Sequence, residues 1–409
     1  MKKKLFLLML IISICLFSLT GCYDVKGIED LAYAIAIGID SSETNVIKLS
    51  LQFFVPTSEG SGDSSSSQSS SSTVISVDCD SIDSGINLIN SYVGKEVNLA
   101  HCKAIVISEI VAANGISEYL YTLINNIQVR PDCNMIISRC NAETFLQNSK
   151  PVLETLPARY YETAIESIES TGYSESMPIS RFYDDYKDKF CESSAVLGGL
   201  NTDSSEYDPT DTPYIDLAGN YKADEMPIEP KNNVANLGMA VFIEDKLVGE
   251  LDGLDTLSHL IITNKFEKCV VTISSPFKEN KLISLFVTKQ KSSKNKVELV
   301  NGSPFIKSNV YLKASILSTD INSDYSNKEN LDLIEQYLTH YLENELTTFL
   351  YKTSTNLKSD IIGFGRLLRT QYLKESDLNK LDWSDLYPNS IFSCNVHCGV
   401  TSGYIISKD

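Results

Sequence analysis

The residues best suited to chemistry begin with a cluster near the C-terminus, where Cys394-x-x-His397-Cys398 places two thiols beside an imidazole. Thiolate and imidazole are the donors zinc prefers. The segment reads as a strand, however, and alternate side chains of a strand point to opposite faces. Cys394, Val396 and Cys398 then face one way and His397 the other. Two thiols without a second pair make a poor zinc site, so a core strand is the better reading, and a disulfide between the two would require a bend. The other histidines, His101, His259 and His340, are isolated, and no HExxH or glycine-rich phosphate loop occurs. There is no Gly-x-Ser-x-Gly elbow. His101 at the mouth of a strand suits a structural hydrogen bond, and His340 lies on the polar side of a long helix. Asp184-Asp185, Glu343 and Glu345 read as solvated helix faces. Arg159-Tyr160-Tyr161 reads as a helix packing its tyrosines on a sheet, with a partner contact as the alternative. No catalytic residue, metal ligand or cofactor site follows, and the expectation is a protein that is not an enzyme.

Different chemistry is written at the N-terminus. Lys2, Lys3 and Lys4 precede the apolar run from Leu5 to Leu19, and Leu19-Thr20-Gly21-Cys22 closes it. Positive residues, a short apolar core and small residues before a cut site make a secretory signal. The run of fifteen residues is shorter than the roughly 20 a spanning helix needs. The cysteine directly after Thr-Gly resembles the lipobox of bacterial lipoproteins, whose thiol receives a diacylglycerol. Residues 1–21 would be the signal peptide, cleaved between Gly21 and Cys22, with Cys22 lipidated. Two acyl chains hold a protein stably at a membrane where one binds only reversibly.

The elements that follow are those of an acidic globular chain. Lys+Arg 35 against Asp+Glu 53 gives −18, and losing three lysines with the signal peptide gives −18 − 3 = −21. Such a balance argues against nucleic acid and against electrostatic adhesion to anionic lipid, leaving the acyl anchor to hold the chain. The 409 − 21 = 388 mature residues suit two or three domains at about 150 residues each. No later segment is long and apolar enough to cross a membrane. Eight further cysteines, Cys79, Cys102, Cys133, Cys140, Cys191, Cys269, Cys394 and Cys398, could pair in an exported protein, yet most sit singly among apolar residues and read as buried thiols.

Along the chain, strands are expected at 33–40, 47–55 and 74–77, with a flexible serine-rich loop at 57–73 between the last two. A helix from Ile82 to Val93 with Asp80 or Ser81 as its cap, a strand within 101–109, a helix near 116–124 and a strand at 135–138 follow. Residues 142–190 read as mostly helical. Four prolines and many acids make 201–236 a linker or surface excursion. Beyond it come a hairpin around Glu244-Asp245 and strands near 268–274, 282–289, 294–300 and 308–318. The long helix 327–351 has Ser326-x-x-Glu329 as a capping box, and a helix near 360–369 and strands at 391–397 and 401–406 close the chain. The pattern is an α+β protein of several domains, with mixed sheets flanked by helices. An N-terminal α+β region covers 22–200 and a C-terminal α+β domain 237–409.

Read together, these residues resemble the Ger(x)C family, the lipoprotein C subunit of nutrient germinant receptors. The resemblance rests on Cys22-Tyr23-Asp24, Ile28-Glu29, Leu31, Gly38-Ile39-Asp40 and His101-x-Lys103-x-Ile105-Val106-Ile107-Ser108-Glu109. It continues through Arg130-Pro131, Pro151-x-Leu153-Glu154, Gly238 to Phe242, Asp245 to Gly249, Asp360-Ile361-x-Gly363-Phe364-Gly365 and Trp383. Tyr23 stands where the family usually has Trp. The resemblance implies three α+β domains and a non-enzymatic subunit on the outer face of the inner spore membrane. Its partners would be two integral membrane subunits, the A-type and B-type, in a complex that senses small nutrients. The polar clusters around Lys103 and Asp245 are the first places to look for contacts. A solute-binding lipoprotein of a transporter is the alternative, but the chain lacks the regular βα alternation of such lobes. An anchored hydrolase would need an acid/base set that is not found.

Overall fold

The computed structural model describes residues 27–55, 72–149, 171–202, 219–229, 233–279, 281–318, 327–372, 374–378 and 380–402, with isolated positions between 3 and 13 and at 159 and 161. The lipobox Leu19 to Cys22, most of the serine-rich loop 57–73, and Ser326 lie outside the described residues.

The first sheet is organised by β1 (Leu31–Ser41), whose residues from Ala34 to Asp40 are all buried. A strand buried on both faces must be covered on both. It pairs antiparallel with β2 (Ile47–Phe54), which pairs with β3 (Ser72–Cys79), and parallel with the short β4 (Glu96–Asn98) and with β5 (Ala104–Ser108). From β5 the sheet continues in parallel to β6 (Asn134–Ser138) and β7 (Ser194–Asn201), then antiparallel to β8 (Asn233–Ile243) and β9 (Lys246–Leu251). The order is β3-β2-β1-β5-β6-β7-β8-β9, with β4 beside β1.

Helices α1 (Ile82–Val93), α2 (Glu109–Asn114) and α3 (Ser117–Asn125) cover one face with α5 (Ile179–Lys187), burying Ile37, Ile39, Ile105, Ile107 and Ile137. Ser81 caps α1 in a reciprocal box with Ser84. The opposite face receives Ile35, Ala36, Val106 and Ile136, covered by α4 (Ala142–Asn148) and Tyr161. Gly38 lets α4 come close, since a Cβ there would lie 2.9 Å from the Leu146 side chain.

The second sheet runs β10 (Lys268–Ser274), β11 (Leu282–Val300), β12 (Ser303–Ser318) and β13 (Ile391–Thr401). One face is covered by α6 (Gly253–Ile262), α7 (Lys328–Tyr351) and α8 (Phe364–Arg369), with Ile334, Leu338, Leu342, Leu346 and Phe349 of α7 packed on Leu285, Val287, Val310 and Leu312. Two outward amides of the edge strand β13 are occupied. Val396 N–H donates to Glu343 at 2.9 Å and Val400 N–H to Glu335 at 3.1 Å, both from α7. An edge covered in this way is a poor template for another chain.

Several expectations change. The strands expected at 282–289 and 294–300 are one strand, kinked where the register shifts between Lys289 and Lys294. The strand expected at 391–397 runs on to Thr401, pairing in parallel with β12 along its whole length, and most of the strand expected at 401–406 lies outside the described residues. Asn327, not Ser326, caps α7, accepting from Glu329 N–H at 3.0 Å. Strand β7 and helix α6 were not anticipated. The described residues form two sheets. The first hairpin of the expected region 237–409 completes the first sheet, and β8 begins at Asn233. Strand β8 serves both cores: Ala240 and Phe242 enter the first, Met239 and Val241 the second.

Gly238 is the tight point of that shared strand. Its φ of +92 is open to glycine, and a Cβ would fall on the Leu251 carbonyl oxygen. Its N–H donates to Tyr173 O at 2.8 Å. Gly238→Ala is expected to destabilise the protein by about 2–4 kcal/mol, from backbone strain and displacement of β9. A denaturation midpoint equal to that of the wild type would refute this account.

Candidate functional site at the joint between the two sheets

Asp360 sits fully buried in the turn before α8. A buried carboxylate persists only where donors surround it. Here Gly363 N–H donates at 2.9 Å, Gly365 N–H at 2.8 Å and Trp383 Nε1–H at 2.8 Å. Burial pushes the Asp360 carboxyl above its ordinary value, and the Gly365 and Trp383 hydrogen bonds oppose that rise. The backbone closes the joint: Glu192 N–H donates to Asp360 O at 3.0 Å, and Ser359 Oγ donates to the Phe242 carbonyl at 2.6 Å. Thus Asp360-Ile361-x-Gly363-Phe364-Gly365 and Trp383, separated in sequence, form one knot that seats α8 against the first sheet.

An ionic network adjoins the knot. Arg366 of α8 donates to Asp188 at 2.7 Å and to Asp185 at 2.7 Å. Burial opposes the Arg366 charge, and the two carboxylates outweigh that and raise its pKa. Burial keeps the Asp185 carboxyl above its usual range despite its arginines. Arg181, 3.9 Å from Asp185, carries the network on to Glu175, which is 4 % exposed and meets His259 Nε2 at 2.9 Å, with Lys265 also paired to it. Burial would raise Glu175, but His259 and Arg181 hold it below the ordinary carboxylate value. Breaking one partner of such a buried cluster typically costs about 3–5 kcal/mol.

A cleft of about 480 Å³ opens beside the knot, lined among others by Lys187, Phe190, Glu192, Glu244 and Trp383. Glu192 accepts from Glu244 N–H at 2.8 Å, and burial drives its carboxyl up to about 7, with Glu244 and Asp360 adding repulsion.

The other singled-out residues also serve as joints. Asp40 caps α4, accepting from Ala142 N–H at 2.7 Å and Glu143 N–H at 2.8 Å. Asp245 accepts from Ser117 N–H at 3.2 Å, and its carbonyl from Ile116 N–H at 3.0 Å. Lys103 links β1 to β6 through its backbone, donating to Ile35 O and accepting from Asn134 N–H. The clusters around Lys103 and Asp245 therefore serve separate joints. His101 is exposed and meets Tyr33 edge-on at 4.9 Å; His340 is exposed. Tyr161 is buried and donates to Gln52 Oε1 at 2.6 Å, as a tyrosine packed on the sheet should. Val396 and Cys398 enter the core while His397 stacks on Tyr311 from the other face. The expectation of solvated acids fails for Asp185 and Glu343, because Arg366 and the Val396 amide draw them inward. Cys22 and Gly21 lie outside the described residues. No group of three or more His, Cys, Asp or Glu side chains among the described residues could hold a metal ion. Glu175 and Glu192 escaped sequence reasoning, and His259, read as isolated, is paired with Glu175, because the partners are distant along the chain.

The two sheets, joined through a buried aspartate knot, define a two-part α+β protein, and the comparisons give its class. Residues 24–200 match the family model described as spore germination protein N-terminal domain, and residues 237–403 the one described as spore germination B3/GerAC like, C-terminal. The chain belongs to this Ger(x)C family of spore germination proteins. It is 22% identical over 395 residues to putative spore germination protein YfkR of Bacillus subtilis, covering 95% of this chain and 94% of that protein. Spore germination protein KC of the same organism is 23% identical over 394 residues, covering 94% and 92%. Spore germination protein GerQC of Bacillus cereus is 22% identical over 75% of each chain. The crystal structure of the GerBC protein matches with a TM-score of 0.53 and 16% identity, covering 89% of this chain and 96% of that one. The family supports a role in spore germination and is not a known enzyme family.

Because Glu192 binds its proton more tightly when folded, the folded state is favoured at low pH. That advantage is lost as pH rises from the unfolded carboxyl value near 4.5 through about 7. Glu192→Gln should therefore stabilise the protein above pH 7, on the order of 2 kcal/mol, with the difference vanishing toward pH 4. Paired melting curves across this range check it; a constant offset would mean that the Glu192 charge is not the cause.

Proposed function

We propose that this chain is the lipid-anchored C subunit of a nutrient germinant receptor, held by Cys22 on the outer face of the inner spore membrane. It acts there through contacts with A-type and B-type membrane subunits. The observation that carries this reading is the coupling of a lipobox, Leu19-Thr20-Gly21-Cys22, to family matches over 24–200 and 237–403. The motif residues support it from another side. Asp40, Asp245 and Asp360 build joints that hold the two sheets and their helices in fixed relation. A subunit working through protein surfaces needs such rigidity. No helix among the described residues is long and apolar enough to cross a membrane, and attachment through lipid requires none.

Cys22→Ala should leave the fold intact, move the protein out of the membrane fraction, and abolish dipicolinate release in response to nutrients. Release triggered directly by a chemical agent should stay normal. A variant that remains membrane-bound would refute the anchor, and a normal nutrient response in its absence from the membrane would refute the receptor role. Tight, selective nutrient binding by the purified chain alone would favour a solute-binding lipoprotein instead.

A further inference from the structure

The face of the second sheet turned away from α6 and α7 carries a charge opposite to that of the chain. Strands β10 to β13 contain seven lysines, one glutamate and no arginine; Lys289, opposite the core residue Leu312, turns to the Asn264 carbonyl, so the outward face carries 6 − 1 = +5 within a chain of −18. Strand alternation sends Ile283, Leu285, Val287, Ile306, Val310 and Leu312 into the core. The residues between them leave Lys268, Lys291, Lys294, Lys296, Lys307 and Lys313 exposed. The register sets these side by side, with Lys296 opposite Lys307, Lys294 opposite Asn309, and Thr288 between Lys268 and Lys313. Lys291 lies 3.7 Å over the Tyr311 ring, which is itself stacked on His397. Lys296 pairs with Glu298, the only acid of the four strands. Val270, Leu282, Leu317 and Ile391 add exposed apolar side chains around the lysines.

We propose that this sheet face docks on anionic phospholipid headgroups. Charge complementarity selects an anionic occupant, and the composition selects lipid over protein. Protein interfaces are enriched in arginine and depleted in lysine, whereas clustered lysines on flexible stems bind an anionic headgroup layer as mobile point charges. The expectation that an acidic chain would not adhere to anionic lipid treated its charge as evenly spread. The sheet instead segregates the lysines on one face. Under the proposed anchoring, the face would orient a chain already tethered at Cys22.

The test uses the mature chain from residue 22 with Cys22→Ser, so that only the protein surface can bind. Its outcome is thereby separate from that of the anchor, which Cys22→Ala fractionation decides. The chain should float with vesicles of phosphatidylcholine and phosphatidylglycerol but not with phosphatidylcholine alone, and less so as salt rises. Lys294→Gln with Lys307→Gln should lower the partition coefficient about fivefold for each lysine, with the melting temperature unchanged. Lys95→Gln, at an exposed site beyond α1, should have no effect. Failure of the unsubstituted chain to float with anionic vesicles, or flotation that survives the double substitution, would overturn the proposal. Failure to float, coupled with loss of nutrient-triggered germination in the double variant, would assign the face to an acidic protein partner instead.

Discussion

A carboxylate buried without a cation is the costliest group a protein core can hold, and the fold is arranged around one. Asp360 is 2 % exposed, and its carboxylate is met by two glycine amides and the Trp383 indole N–H. Those three donors fix the start of α8 and the position of the segment around Trp383. Helix α8 in turn carries Arg366 to Asp185 and Asp188 on the first unit. The knot is therefore cooperative. Removing the carboxylate would strand three donors at once, and an unmet buried donor costs about 1–3 kcal/mol. The close approach of Gly365 to Phe190 and Trp383 leaves no room for a side chain to fill the gap.

The same device recurs with less at stake. Asp40 sits at the end of β1 and caps α4, Asp252 caps α6, and Asp245 holds the start of α3 from the β8–β9 turn. In each case a carboxylate satisfies helix N–H groups that the helix itself leaves free. Asp40 and Asp245 bind elements distant in sequence, so they fix tertiary placement as well as the helix end. This explains why short helices such as α4, too short to stand alone, can cover a sheet face.

Much of the first sheet was legible because its strands and helices show clean periods. The alternation in 47–54 and the 3–4 spacing of Ile82, Ile86, Ile89 and Val93 leave little choice. Two of the illegible elements were buried from every side. Strand β7 is buried almost throughout and holds Gly198 and Gly199 with a single β-branched residue, Val196, so neither alternation nor a run of branched residues announces it. Helix α6 hides Thr256, Ser258 and His259 as well as its leucines and isoleucines, which erases the polar stripe. The polar run from Lys289 to Lys294 made β11 look like two strands, whereas register shifts carry it through as one. The knot was half legible: its residues stood out as a motif, but their task depends on donors supplied by the fold. Glu192 and the Glu175–His259 pair carried no local sign, since what perturbs them is burial and a partner brought near only by folding.

Charge taught the opposite lesson about composition. Net charge is a sum, and a sum discards geometry, while interactions at a surface depend on the local field within about a Debye length, roughly 8–10 Å at ordinary salt. Strand alternation converts a lysine-rich stretch of sequence into a one-sided basic face, because every second residue must enter the core. Here β11 and β12 place Lys291, Lys294, Lys296, Lys307 and Lys313 on the side that no described helix covers, while Lys289 alone turns back to the Asn264 carbonyl, and Glu335 and Glu343 of α7 turn toward the edge amides of β13. The acidic surplus is therefore carried elsewhere on the chain, and the molecule is polarised. An anchor at one chain end, as proposed at Cys22, would fix distance from a membrane but not orientation. In a polarised body the field of an anionic surface would select one face and turn the acidic remainder outward. The sheet supplies that asymmetry through its pleat alone, with no further element devoted to it.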